Sequence, residues 1–93
     1  MTILGAEKPK ILTGFKKARS LLSKIIEMAE KNEYCVKIMQ QNLAAIGLLR
    51  SAHESLMKNH LHTCFKAVMA TKDEKKKRAM IKEVLMVSKL FNR

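Results

Sequence analysis

The sequence predicts an all-α fold: a three-helix protomer with a long central helix that pairs antiparallel with a second copy. Three observations lead there. Apolar residues recur at intervals of three and four through three stretches, the signature of amphipathic helices. The segment from His53 to Cys64 contains neither Gly nor Pro and is tolerant of a helix throughout. A central rod of that length cannot bury its apolar face against one short neighbour, which gives oligomerisation a physical cause.

In chain order, residues 1–8 carry few periodic positions and are expected to form a flexible arm. Pro9 suits a first helical turn, where its missing N–H costs nothing. Ile11, Leu12, Phe15, Ala18, Leu22, Ile25, Ile26 and Ala29 then mark a first helix over about 9–31, with Lys16, Lys17, Arg19 and Lys24 largely on its other face. Gly14 lies inside it and should weaken it by about 1 kcal/mol against Ala. Lys31–Asn32 ends it, with Asn32 expected to cap the helix that follows. The second helix, over about 33–70, carries Met39, Leu43, Ile46, Leu49, Met57, Leu61, Phe65 and Val68. Ala70–Thr71–Lys72–Asp73 reads as a turn with Thr71 or Asp73 as cap. A third helix over about 74–91 presents Met80, Ile81, Val84, Leu85, Val87, Leu90 and Phe91. Together these make residues 1–93 a single domain, small enough that its own core is marginal.

Lys plus Arg number 19 against 8 for Asp plus Glu, a formal charge of +11. Such an excess points to a polyanion, nucleic acid above all, or to a membrane surface. No apolar run approaches the roughly 18 residues of a spanning helix, so no membrane partner is expected. Met1–Thr2–Ile3–Leu4–Gly5 lacks the charge and length of a secretory signal. Two cysteines in such a chain suggest reduced thiols and a cytoplasmic location. No Gly-rich phosphate loop and no nucleophile–base pair is present, so an enzyme is not expected.

His60 and Cys64 stand four apart, on one face of a regular helix with Cβ atoms roughly 5–6 Å from each other. An imidazole and a thiolate at that spacing can share a metal ion. Cys35, the only other thiol, is 25 residues before His60, or about 37 Å along one helix. It cannot join them within its own chain. On an antiparallel copy related by a two-fold axis it can, with the crossing near Leu48 and Leu49. Ala44, Ala45, Ile46 and Gly47 beside that point would let two backbones approach closely. The expectation is a dimer with two identical cross-chain Cys35/His60/Cys64 sites. Two thiolates and one imidazole form a soft, low-coordinate set that favours Cu(I), whereas structural zinc normally takes four ligands. His53 and Met57 extend the same stripe but are read as core, and His62 as solvent-facing.

Tyr34–Cys35, then Arg50, then Asn59–His60–Leu61 and Cys64 resemble the CsoR/RcnR family of bacterial metal-sensing repressors, over about Ile11 to Leu90. Cys35, His60 and Cys64 match the metal-ligand fingerprint of its copper-sensing branch. Nickel and cobalt sensors of the family usually add an N-terminal His and replace the second Cys by His. Here no His precedes His53 and Cys64 is kept, and the acid that formaldehyde sensors carry at that last position is absent. The resemblance implies a dimer-of-dimers tetramer that binds operator DNA when metal-free and releases it when loaded. It implies that Tyr34 supports the site from outside the ligand set, together with a carboxylate early in the third helix. Plain counting places that carboxylate near Met80; Glu83 is the acid expected to serve, and it or Glu74 requires a shift. DNA contacts are expected from Lys16, Lys17, Arg19 and Arg50, of which Arg50 alone matches a family position.

The departures fall in the DNA-facing region. Where the family usually opens Arg–Leu–basic–basic–Ile–Glu–Gly, this chain has Gly14–Phe15–Lys16–Lys17–Ala18–Arg19–Ser20, and Ser23 replaces another common Arg. The function expected is a copper(I)-responsive transcriptional repressor. Two alternatives stand beside it: a persulfide-sensing repressor using Cys35 and Cys64, and a metal-buffering protein that does not bind DNA.

Overall fold

The computed structural model describes residue 3 and residues 5–93; of the arm expected over 1–8, Met1, Thr2 and Leu4 lie outside the described residues. Gly5 turns the chain into the first helix with φ +77°, a left-handed backbone that glycine adopts without strain. Helix α1 (Glu7–Glu30) follows. Pro9 is its third residue, still among the N–H groups that have no intrahelical partner. At the far end Asn32 takes φ +56°. Its N–H donates to the Ala29 carbonyl at 3.1 Å, and that of Glu33 donates to the Met28 carbonyl at 3.0 Å. This pair of reversed bonds closes the helix C-terminus in a Schellman motif. Asn32 therefore terminates α1 and does not cap the next helix. That place is taken by Tyr34, which makes no side-chain cap.

Helix α2 (Cys35–His60) runs into a π-helical turn, Leu61–Phe65, and on into the short α3 (Lys66–Met69), so that one rod extends from Cys35 to Met69. Thr71 ends it, its hydroxyl donating to the Val68 carbonyl at 2.7 Å. Asp73 then caps α4 (Glu74–Phe91), its carboxylate accepting from the Lys76 N–H at 3.1 Å. The described residues contain helices and no strand, an all-α chain of three helical segments.

α1 and α2 form an antiparallel hairpin. A Cβ built on Gly14 would sit 3.6 Å from that of Ala52, which fixes their register. On α1 the contact face is Ile11, Gly14, Ala18, Leu21, Ile25 and Met28, with Ile11 fully buried. On α2 it is Ile38, Gln41, Ala45, Leu48, Ala52, Ser55 and Asn59, spaced alternately three and four, with Ala45, Ala52 and Asn59 buried. This seven-residue repeat keeps one seam of a helix against its neighbour. The seam is narrow, and small residues at its centre let the helices approach.

The larger apolar residues that mark the second helix in the sequence lie outside this seam. Met39, Leu43, Ile46 and Leu49 are exposed, Leu43 to 66%, and so are Leu12, Phe15, Leu22 and Ile26 on α1. Ala45, expected at a crossing between copies, is already covered by α1 in its own chain. α4 lies along the C-terminal half of α2 through Met80, Val84, Val87 and Phe91, leaving Ile81, Leu85, Met86 and Leu90 exposed. The result is a slab of 58 × 28 × 15 Å with large apolar side chains exposed on all three helical segments.

Candidate metal centre

His60 is the last residue of α2, and Cys64 lies within the π-helical turn that follows. A π turn carries more residues per revolution than an α turn, so Cys64 is re-aimed relative to His60. Such single turns occur often at functional sites. Inside the turn the Thr63 hydroxyl donates to the Asn59 carbonyl at 2.6 Å and lies 3.6 Å from the Cys64 sulfur. This back-bond ties up a carbonyl where the regular α-helical ladder is interrupted. Cys64 is buried and His60 half-buried.

Cys35 stands at the opposite end of the rod as the first residue of α2, exposed, with Tyr34 beside it also exposed. The unbroken helix between them keeps Cys35 about 37 Å from His60, at about 1.5 Å per residue. Among the described residues no three His, Cys, Asp or Glu side chains of one chain converge on a common point. The structure brings His60 and Cys64 to neighbouring turns and sets Cys35 apart from both. The donor types nevertheless suit a soft monovalent metal: two sulfurs that bind as thiolates and one imidazole.

The atom touching the His60 ring belongs to Met80. Its sulfur lies 3.2 Å from His60 Nε2, and it is the buried residue of α4. Glu83, expected to support the site, is exposed and lines a cleft of about 430 Å³ between α2 and α4 together with His53, Met57, Asn59, His60 and Val84. Met80 stands at the position where plain counting puts the supporting carboxylate, so a thioether and not an acid meets the ring. His62 is exposed on the other side of the rod.

A second cluster joins the far end of α4 to α2. The Phe91 ring stacks on His53 with centroids 4.5 Å apart and planes 14° from parallel. The guanidinium carbon of Arg50 lies 4.8 Å from the centroid of the same ring. His53 is thus an aromatic packing partner. Arg50 is held at the surface by Phe91, a contact that periodicity alone could not reveal. Lys16, Lys17 and Arg19 are exposed on α1. The register that sets Gly14 beside Ala52 places Lys16 level with Arg50 on the neighbouring helix.

The fold and the site are thus a hairpin of long helices, a His–x₃–Cys pair at a π turn and an exposed Cys at the other end of the rod. The family described as metal-sensitive transcriptional repressor matches residues 7–90, and the chain belongs to it. The copper-sensing transcriptional repressor CsoR of Mycobacterium ulcerans (strain Agy99) is 40% identical over 63 residues, 68% of this chain and 54% of that one. CsoR of Mycobacterium tuberculosis (strain ATCC 25618 / H37Rv) is 39% identical over 62 residues, 67% of this chain and 52% of that one. The chain thus spans about half the length of these curated relatives. The crystal structure of the copper-sensing repressor CsoR with Cu(I) from Geobacillus thermodenitrificans NG80-2 shares the fold, with a TM-score of 0.83 over 100% of this chain and 95% of that one, at 23% identity.

Proposed function

We propose that this chain is a copper(I)-responsive transcriptional repressor that binds operator DNA when metal-free and releases it on binding copper. The observation that carries this reading is the distribution of donors: His60 and Cys64 at one end of an unbroken rod, a lone exposed Cys35 at the other. Two antiparallel copies place each Cys35 against His60 and Cys64 of the other, which completes two equal sites. Relatives named as copper-sensing repressors support the choice of metal and of role. Tyr34, adjacent to Cys35, supports the site by hydrogen bonding from outside the ligand set.

The exposed apolar stripe Met39, Leu43, Ile46 and Leu49 is the surface on which the second copy packs, and the apolar remainder of α1 and α4 supports a dimer of dimers. Bound Cu(I) supplies bonds that link two protomers at each end of the dimer. Everything else is done by the chain. The rods transmit the change in their mutual angle, and the basic faces carrying Lys16, Lys17, Arg19 and Arg50 move with them. A ligand shifts such an equilibrium only as far as it prefers one state. The DNA-free arrangement must therefore be the one in which Cys35 reaches its partner donors. The protein acts in the cytoplasm, where its thiols stay reduced.

The test is DNA retention by the metal-free protein on its own upstream sequence, measured by fluorescence anisotropy with and without one equivalent of Cu(I) per protomer. Copper should release the DNA and zinc should not. DNA binding that ignores copper would sink the reading. Cys35→Ala should leave helix content by circular dichroism unchanged while lowering Cu(I) affinity by orders of magnitude. Undiminished affinity in that variant would rule out the cross-chain site.

A further inference from the structure

α4 turns one side toward α2 and the opposite side outward. At about 100° per residue, Met80, Val84, Val87 and Phe91, which meet α2, fall within a sector of roughly 60°. Lys75, Arg78, Lys82 and Lys89 fall in a sector of about the same width on the far side of the helix. All four are exposed. No acid of α4 shares their sector: Glu74 and Glu83 fall on either side of it, and Glu74 pairs with Lys77 at 3.5 Å.

The outward side is thus a cationic ridge about 21 Å long from Lys75 to Lys89, at about 1.5 Å per residue. Over that length one strand of DNA presents about six phosphates. Like charges three and four residues apart work against a helix, so packing does not account for the ridge. At its C-terminal end Lys89 is two residues from Phe91, whose ring holds the Arg50 guanidinium carbon 4.8 Å from its centroid. The ridge therefore begins level with Arg50 and runs toward the turn at Thr71.

We propose that the outward side of α4 is a second DNA-contacting surface, on which Lys75, Arg78, Lys82 and Lys89 take phosphates of the backbone. The inference rests on the reading of the chain as a DNA-binding repressor and enlarges its footprint beyond Lys16, Lys17, Arg19 and Arg50. A file of cations with no aromatic, Asn or Gln among them suits phosphates, so it adds affinity and not sequence preference. An anionic membrane fits less well. A helix lying in a lipid surface buries its apolar side there, and that side of α4 is on α2. Leu85 and Met86 are exposed beside the ridge, so lipid needs its own arm in the test.

The test compares charge-matched variants of the full chain by fluorescence anisotropy, on its own upstream sequence and on unrelated DNA of equal length, over a range of salt concentrations. Arg78→Gln/Lys82→Gln removes two cations of the ridge. Lys31→Gln/Lys37→Gln removes two exposed ones from the far end of the α1–α2 hairpin. The ridge variant should ease the slope of log association constant against log salt by about 1.8 for each protomer engaged, at about 0.9 per contact, and on both DNAs alike. The control should keep the wild-type slope. Arg78→Lys/Lys82→Arg, which preserves the charges, should bind as the wild type does. Helix content and Cu(I) affinity should be unchanged in all three.

A ridge variant indistinguishable from the control would overturn the proposal and leave the repressor reading in place. So would an effect confined to the upstream sequence, since phosphate contacts do not tell sequences apart. Lost sedimentation with phosphatidylserine vesicles in the ridge variant, at an unaltered DNA slope, would assign the ridge to lipid instead. Wild-type DNA binding that ignores copper would sink the repressor reading, and the salt slopes would still decide for or against the ridge. No DNA binding at low salt would overturn both.

Discussion

Gly14 is where a single methyl group separates local helix preference from tertiary fit. A Cβ added there would rest 3.6 Å from Ala52 Cβ, an ordinary contact. Gly14→Ala should raise the unfolding free energy by about 0.5–1 kcal/mol, seen as a higher urea midpoint at unchanged slope. A lower midpoint would mean that the α1–α2 seam is tighter than this contact implies. At Asn32 the constraint is backbone and not space. With φ +56° a glycine is tolerated, whereas Asn32→Val should cost about 1–2 kcal/mol. The sequence misplaced the part Asn32 plays for a physical reason. Asparagine serves equally as an N-cap and as a left-handed C-terminal residue, and only the carbonyls of Ala29 and Met28 decide between them.

At the scale of the elements, α4 is pinned to α2 at two places: Met80 on His60, and Phe91 between His53 and Arg50. Removing the second pin tests whether the helix is held as a unit. Phe91→Ala should loosen the last turns of α4, with faster amide hydrogen exchange there and little change near Met80. Exchange rising equally along the whole helix would show that α4 docks all or none. The apolar repeat of Met80, Val84, Val87 and Phe91 was legible because those residues do face α2. The π turn at Leu61–Phe65 was not, since Met57, Leu61 and Phe65 keep a regular spacing of four and carry no sign of the extra winding. On α2 the seam against α1 was not legible, although the apolar stripe beside it was. Hydrophobicity ranks Met39, Leu43, Ile46 and Leu49 above Ala45 and Ala52, but closely packed helices select for small size. The large residues are free to meet something else.

At the scale of the whole molecule, a slab with exposed apolar side chains and a charge of +11 has two kinds of surface to satisfy. Leu43, exposed to 66% in the single chain, tests the apolar one. Leu43→Glu should shift the protein toward monomer in sedimentation equilibrium. It should also weaken Cu(I) binding although Leu43 touches no donor, because each site of the proposed dimer needs two chains. Monomers with full copper affinity would place the site within one protomer. The basic surface is tested by salt. Contacts made chiefly to phosphates release counterions, so the logarithm of the DNA association constant should fall linearly with the logarithm of salt concentration. The slope should ease by about 0.9 for each phosphate contact removed. Lys16→Ala and Arg50→Ala stand level on neighbouring helices and should each ease the slope by about that amount while leaving Cu(I) affinity unchanged. If Arg50→Ala weakened binding without altering the slope, its guanidinium would be serving the Phe91 ring and not the DNA.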